Sequence, residues 1–185
     1  MIIDELRAHF NEATGSVRLI TFLSPTCGPC RYGQGVVRAL FEEFPDVGLT
    51  GFVIWVPMLP PDSPGTAQSE QDAIADPRFR FWFDHGRKAA LAWSSFIGLP
   101  APTWDVYAVY DGEASWSGAA PPAPRIWMHQ LNPTPATRPE VQLDPGRLAR
   151  EWLAVIGRGE RGASELALKL HASGQAVSVR GEPPA

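Results

Sequence analysis

The sequence predicts an α/β layer fold whose central sheet is at least partly parallel. Three observations lead there. Short apolar runs rich in β-branched and aromatic residues alternate along the chain with amphipathic segments of helical period, the pattern of strands crossed by helices. The 185 residues are 44% hydrophobic and 19% charged, enough apolar material for one real core. The only two cysteines stand in "SPTCGPCRYG", at the end of the first strand-like run and the start of a helical one. In open α/β sheets that is where functional groups gather.

The elements follow in order. "IIDELRAHFNEA" sets Ile3, Leu6 and Phe10 at helical spacing and stops near Gly15. "SVRLITFLS" is a buried strand. From Cys30 onward Val36, Val37, Leu40, Phe41 and Phe44 share one helix face, Pro29 lies in the first turn where its missing N–H costs little, and Pro45-Asp46 ends the element. "GLTGFVIWVPML" is a second buried strand, and a short helix is expected around residues 65–75. "RFRFWF" alternates Phe79, Phe81 and Phe83 with Arg78, Arg80 and Trp82, a third strand. Asp84 is expected to cap the helix "HGRKAALAWSSF", which stops at Gly98. "TWDVYAVYD" is a fourth strand closed by the turn Asp111-Gly112, and after a proline-rich connector "RIWMHQL" is a fifth. A strand begun at Pro102 would put Thr103 and Asp105 on one face. "GRLAREWLAVIG" is an amphipathic helix, whereas residues 157–185 read as a short helix with an extended piece, or as a hairpin, before a loose "EPPA". Most of the seven tryptophans are expected in the core.

Charge and targeting narrow the function. The formal charge of −4 comes without a Lys/Arg stripe, which argues against nucleic acid as a partner. The N-terminus carries acidic residues early and lacks the apolar core of a secretory leader, and no stretch approaches the ~20 apolar residues of a membrane helix. The expected setting is the cytoplasm, with no membrane partner, where thiols are kept reduced. A Cys27–Cys30 bridge would close almost no loop and is a poor staple, so the pair points to redox or metal chemistry. At a helix N-terminus the thiolate of Cys27 is stabilised by unpaired N–H groups and the helix dipole, whereas Cys30, one turn further in, is more buried. Cys27 is therefore the expected nucleophile and Cys30 the expected resolving thiol. Gly28 allows close approach and Pro29 fixes the turn without needing a donor.

Strand, C-G-P-C and helix together resemble the active-site segment of the thioredoxin superfamily. "FWFDHGRKAALAWSSFIGLPAPTWDVYAVYDG" is similar to the strand–helix–proline–strand segment of thioredoxins and the redoxin-like group. The resemblance implies a thioredoxin-like fold: a central mixed β-sheet flanked by helices, here with insertions and a C-terminal extension. It spans about residues 17–112 plus the helix near 146–156. It implies a thioredoxin-like domain over 1–156 and a partly flexible extension over 157–185. In that family a cis-proline opens the strand after the helix and helps hold a substrate backbone. Ala101 and Pro102 match that position, with Pro100 the rival. Gly28, Pro29, Ala101 and Pro102 are the implied substrate-binding residues. No organic cofactor is implied; the partners would be a protein or small-molecule disulfide and an electron-donor dithiol. Two positions depart from the family pattern. Thr26 stands where a Trp usually precedes the first Cys, and Thr21, which does not ionise, stands where a buried Asp usually moves the proton of the second thiol.

Other candidates have weaker claims. His129, inside an aromatic strand, reads first as a hydrogen-bonded structural residue and second as a stand-in base. His85 reads as an exposed first-turn residue, Arg31 as a solvated helix residue rather than a thiol activator, and Asp105 as a buried acid whose facing is not readable. Two further functions fit the motif: thiolate binding of a soft cation such as Cu(I) or Hg(II), and an interaction module with little redox activity.

Overall fold

The computed structural model describes residues 2–180; among them are six α-helices, two short 3-10 turns and five strands, helix and strand alternating as far as the fourth strand. The helices are α1 (Ile2–Glu12), α2 (Gly28–Glu43), α3 (Pro64–Ile74), α4 (Lys88–Ile97), α5 (Pro145–Val155) and α6 (Ala163–Arg180). The strands are β1 (Val17–Leu23), β2 (Leu49–Trp55), β3 (Phe79–Phe83), β4 (Val106–Tyr110) and β5 (Ile126–His129). The sheet runs β3-β2-β1-β4-β5. β1 pairs parallel with β2 and β2 with β3, whereas β4 is antiparallel to both β1 and β5. The mixed sheet is thus parallel across β1, β2 and β3, which crossovers through α2 and α3 join, and antiparallel at β4 and β5, β4 being reached through α4 and the loop after it.

Strand alternation sends alternate side chains into two cores. Leu19, Leu23, Val53, Tyr107 and Val109 face α2, α3, α5 and α6, together with both cysteines. Ile20, Phe22, Phe52, Ile54, Ala108 and Tyr110 face α1 and α4. All seven residues of β1 are buried, as a central strand with helices on both faces requires. Trp55, Trp93, Trp116 and Trp152 are fully buried, so most of the tryptophans are core residues. Arg18 is buried too. Its guanidinium donates to the carbonyls of Phe10 (3.0 Å) and Asp111 (2.5 Å) and lies 4.2 Å from the Phe10 ring centroid.

Several local expectations shift. Asp84 does serve α4, but from four residues ahead of Lys88: its carboxylate accepts from the backbone N–H groups of Lys88 (2.9 Å) and Ala90 (3.1 Å), with an intervening turn that ends at Arg87 in the left-handed region. His85 is exposed on that turn. β4 begins at Val106 rather than near Pro102, because Asp105 has φ +52° and breaks the alternation. Thr103 and Asp105 consequently do not share a face. Thr103 is hydrogen-bonded to Ser94 of α4 (2.7 Å), while Asp105 is turned toward α2.

Residues 163–180 form one long helix, neither the hairpin nor the short helix with an extended piece. Its Leu166 and Leu170 enter the core that contains the cysteines. α6 lies close along α2 because glycines meet there: a Cβ on Gly35 would reach the Ser173 carbonyl at 2.5 Å, and one on Gly174 the Tyr32 ring at 2.6 Å. The hydroxyl of Tyr32 contacts His171 Nδ1 at 2.9 Å across the same seam. The terminal "EPPA", expected to be loose, lies outside the described residues.

Candidate active site

β1 ends at Leu23, and "SPTC" carries the chain to the start of α2. Cys27 is the N-cap of α2, and its sulfur accepts the backbone N–H of Cys30 at 3.3 Å. The thiol thus takes the place of the Ser or Asp oxygen that usually satisfies an orphan N–H. Both cysteines are free thiols and both are buried, at 5% and 1% exposure. Their environments still differ. A hydrogen bond from the Cys30 thiol, with help from the Cys30 backbone N–H, lowers the Cys27 pKa below the ordinary thiol value, against burial and the negative charges of Asp105 and Asp62. Burial first, then the hydrogen bond to Cys27 and the nearby Asp105 charge, pushes the Cys30 thiol well up.

Gly28 and Pro29 are exposed on the turn between the sulfurs. The Ala101–Pro102 peptide bond is cis, which selects Pro102 over Pro100 as the matching proline. Ala101 is exposed and Pro102 half-buried, three residues ahead of Asp105. The loop they form therefore ends at a residue in the cysteine cluster.

That residue is the main addition to the sequence reading. Cys27 Sγ, Cys30 Sγ and a carboxylate oxygen of Asp105 all lie within 4.8 Å of one another, and all three residues are buried. Asp105 Oδ1 accepts from the Tyr107 hydroxyl (2.7 Å) and from Gln130 Nε2 (2.9 Å). Gln130 Nε2 also lies 2.8 Å from the Tyr107 hydroxyl and donates to the carbonyl of Pro29 (2.7 Å), the residue just before Cys30. The Gln130 backbone N–H donates to the Asp105 carbonyl at 3.0 Å. One amide therefore ties the end of β5 to the entry of β4 and to the first turn of α2. Burial raises the Asp105 pKa above the usual carboxylate range, although the bonds from Tyr107, Gln130 and Cys30 pull the other way. Burial and the adjoining Asp105 push the Tyr107 phenol well up, so it remains a donor. Gly33 leaves the space for that hydroxyl, since a Cβ there would overlap it.

A second carboxylate holds the loop before α2. Asp62 accepts five hydrogen bonds: from Ser24 Oγ (2.7 Å), Thr26 N–H (3.1 Å), Thr26 Oγ1 (2.7 Å), and the N–H groups of Met58 and Leu59 (both 2.8 Å). Partial burial alone would raise its pKa, but these bonds outweigh that and lower it. Thr26 is thus an anchor for the segment after β2.

The remaining candidates take structural places. Leu131 N–H donates to His129 Nδ1 (3.1 Å), and Nε2 faces the Arg138 carbonyl (3.1 Å), so the backbone occupies both ring nitrogens. Arg31 is not simply solvated, because it forms a half-buried ion pair with Glu70 of α3 at 2.9 Å. Thr21 is buried on β1 opposite Tyr107, and its hydroxyl finds no partner among the described residues. Cys27, Cys30 and Asp105 would offer a cation three donors, one fewer than a closed structural zinc site needs. Asp105 was visible in the sequence as an acid in an apolar strand. Tyr107, Gln130 and Asp62 carried no such signal, since each reads as an ordinary strand or loop residue until the chain is folded.

No protein-family model matches the chain, and no curated protein gives a match. Among solved structures, one similar fold is a hypothetical protein from Sinorhizobium meliloti 1021, 17% identical over 82% of this chain and 75% of that one, with a TM-score of 0.51. Another is the solution structure of a thioredoxin-like protein in the oxidized form, 14% identical over 83% and 79% of the two chains, with a TM-score of 0.44. The mixed sheet, the C-x-x-C at the start of α2 and the cis Ala101–Pro102 bond make the fold thioredoxin-like.

Proposed function

We propose that the protein is a thiol–disulfide oxidoreductase acting through a Cys27–Cys30 dithiol/disulfide couple. The observation that carries this reading is the opposed tuning of two adjacent thiols: Cys27, capping a helix, is shifted toward the thiolate, while Cys30 is held as the thiol. A nucleophile must be ionised to attack, and a resolving thiol must stay protonated until the mixed disulfide exists. In the forward direction the Cys27 thiolate attacks one sulfur of a substrate disulfide. A Cys27–substrate disulfide forms and one substrate thiolate leaves. Cys30 then loses its proton and attacks Cys27 Sγ; the second substrate thiolate departs and takes up a proton. The substrate gains two electrons and the protein becomes the Cys27–Cys30 disulfide. A second dithiol, or glutathione, would restore the reduced pair.

Gly28, Pro29, Ala101 and Pro102 are the surfaces this reading gives to the substrate. Three are exposed and Pro102 is half-buried, so they are accessible to a chain laid across the turn. Among the described residues no helix is long and apolar enough to cross a membrane, and a cytoplasmic setting remains part of the proposal.

Trapping tests the assignment. With a disulfide-bonded substrate, Cys30→Ser should accumulate a stable adduct on Cys27, and Cys27→Ser should accumulate none, both read by intact-protein mass. Equal trapping by the two variants would remove the roles, and a wild-type pair that forms no internal disulfide in any glutathione buffer would remove the function.

A further inference from the structure

We infer that Asp105 is the proton acceptor for Cys30 when the mixed disulfide is resolved, with Tyr107 and Gln130 as its positioning residues. The inference rests on the thiol–disulfide reading above and adds the group which that chemistry lacks in this chain. Resolution requires a buried thiol to lose its proton, and position 21 holds only a threonine hydroxyl with no hydrogen-bond partner among the described residues.

The groups facing Cys30 leave one acceptor. From α2 there is Cys27, which is the atom under attack. From β4 there is Tyr107, a phenol that burial and Asp105 keep protonated, and just before that strand Asp105 itself. Just after β5 there is Gln130, an amide bonded to Asp105, and His129 at the end of that strand has both ring nitrogens engaged with backbone groups. Asp62, in the loop after β2, is occupied by five donors. Asp105 is buried, lies within 4.8 Å of both sulfurs, and has Oδ1 held from two directions at 2.7 and 2.9 Å. Its backbone at φ +52° turns it to the α2 side of the sheet. Burial also moves its pKa toward that of a thiol, which eases transfer between them.

The step balances. The Cys30 S–H bond breaks and its proton passes to the Asp105 carboxylate. The Cys30 electron pair forms the bond to Cys27 Sγ, and the Cys27–substrate bond breaks. The leaving thiolate recovers a proton from Asp105 or from water, so the carboxylate is unchanged over the cycle.

The test is a single turnover with a symmetric aromatic disulfide that releases one coloured thiolate per step. The first release reports attack by Cys27, and the second reports attack by Cys30. Asp105→Asn should leave the first release within about threefold and slow the second on the order of a hundredfold at neutral pH. The wild-type second release should fall as acid protonates Asp105. In Asp105→Asn it should instead rise about tenfold per pH unit, following the ionisation of Cys30 itself. Tyr107→Phe and Gln130→Ala should slow the second release less and displace its pH midpoint, which a merely structural role would leave in place. A second release in Asp105→Asn with the wild-type rate and pH profile overturns the inference while the oxidoreductase stands. Failure of Cys30→Ser to hold the first-step adduct removes the oxidoreductase reading instead. If Asp105→Asn does not fold, the wild-type profile decides alone: a second release that climbs about tenfold per pH unit throughout overturns the inference.

Discussion

At the residue scale, Cys27 and Cys30 are the same side chain three positions apart, and their surroundings drive them in opposite directions. Cys27 sits where helix N–H groups are unpaired, and its thiolate accepts from both the thiol and the backbone of Cys30. Burial, the hydrogen bond to Cys27 and negative neighbours push Cys30 up, and a backbone hydrogen bond at Ser24 offsets them only in part. The largest influence on Cys27 is the Cys30 thiol, so Cys30→Ala should raise the Cys27 pKa. Alkylation rates against pH should give wild-type Cys27 a midpoint below the ~8.5 of a free cysteine, with the Cys30→Ala midpoint moved toward it. Coincident profiles would show that the thiol contact is not what tunes Cys27. The direction of this asymmetry was legible in the spacing, because a helix N-terminus has one polarity, but its largest cause, the Cys30 thiol, was not. Asp105 was different: its facing depends on one positive φ, which no pattern in "TWDVYAVYD" announces.

At the element scale, the first turn of α2 is held from two sides by segments distant in the chain. Gln130 reaches it from the end of β5, and Asp62 clamps the loop before it to the segment after β2. Removing an acceptor that serves five donors should be costly. Asp62→Ala should lower unfolding free energy by about 2 kcal/mol at neutral pH, the range for bonds to a charged group. The sign with pH follows from a folded pKa held below the unfolded one. The charge-dependent part of that stabilisation is fully present above the unfolded value of about 3.9 and is lost as pH falls through the folded pKa. Urea titrations of wild type and Asp62→Ala should therefore differ most near neutrality and converge in acid. A constant gap would mean that the ionised form contributes nothing. Helix and strand positions were largely legible because period and terminators are local. The capping of α4 was legible only in part, because Asp84 acts across an intervening turn.

At the scale of the whole molecule, the two faces of the sheet are separate cores, and the cysteine pair belongs to the one that α6 completes. Leu170 is fully buried there. Leu170→Ala should cost about 3 kcal/mol, as cavity-forming changes in a packed core do. Because α6 shares its core with α2 and α5, urea unfolding followed by tryptophan fluorescence should remain a single transition, moved to lower denaturant. An early separate loss of the C-terminal helix, with the main transition unmoved, would show that residues beyond 156 are an appendage. The helix was hard to read in advance because its exposed Leu168 blurs the apolar face, and because what it covers is contributed by α2 and α5.

By itself the sequence determined the order of strands and helices as far as α5, the place of the C-G-P-C at a strand-to-helix junction and the unequal settings of its thiols. All of these follow from local periodicity, terminator residues and the polarity of a helix end. Only the tertiary structure decided which carboxylate meets the thiols, which residues hold it and that α6 closes the core beside them. Asp105, Tyr107, Gln130 and Asp62 acquire their meaning through contacts between segments as much as about a hundred residues apart. No local pattern encodes such contacts, because they arise from how strands pair and how loops return across the sheet.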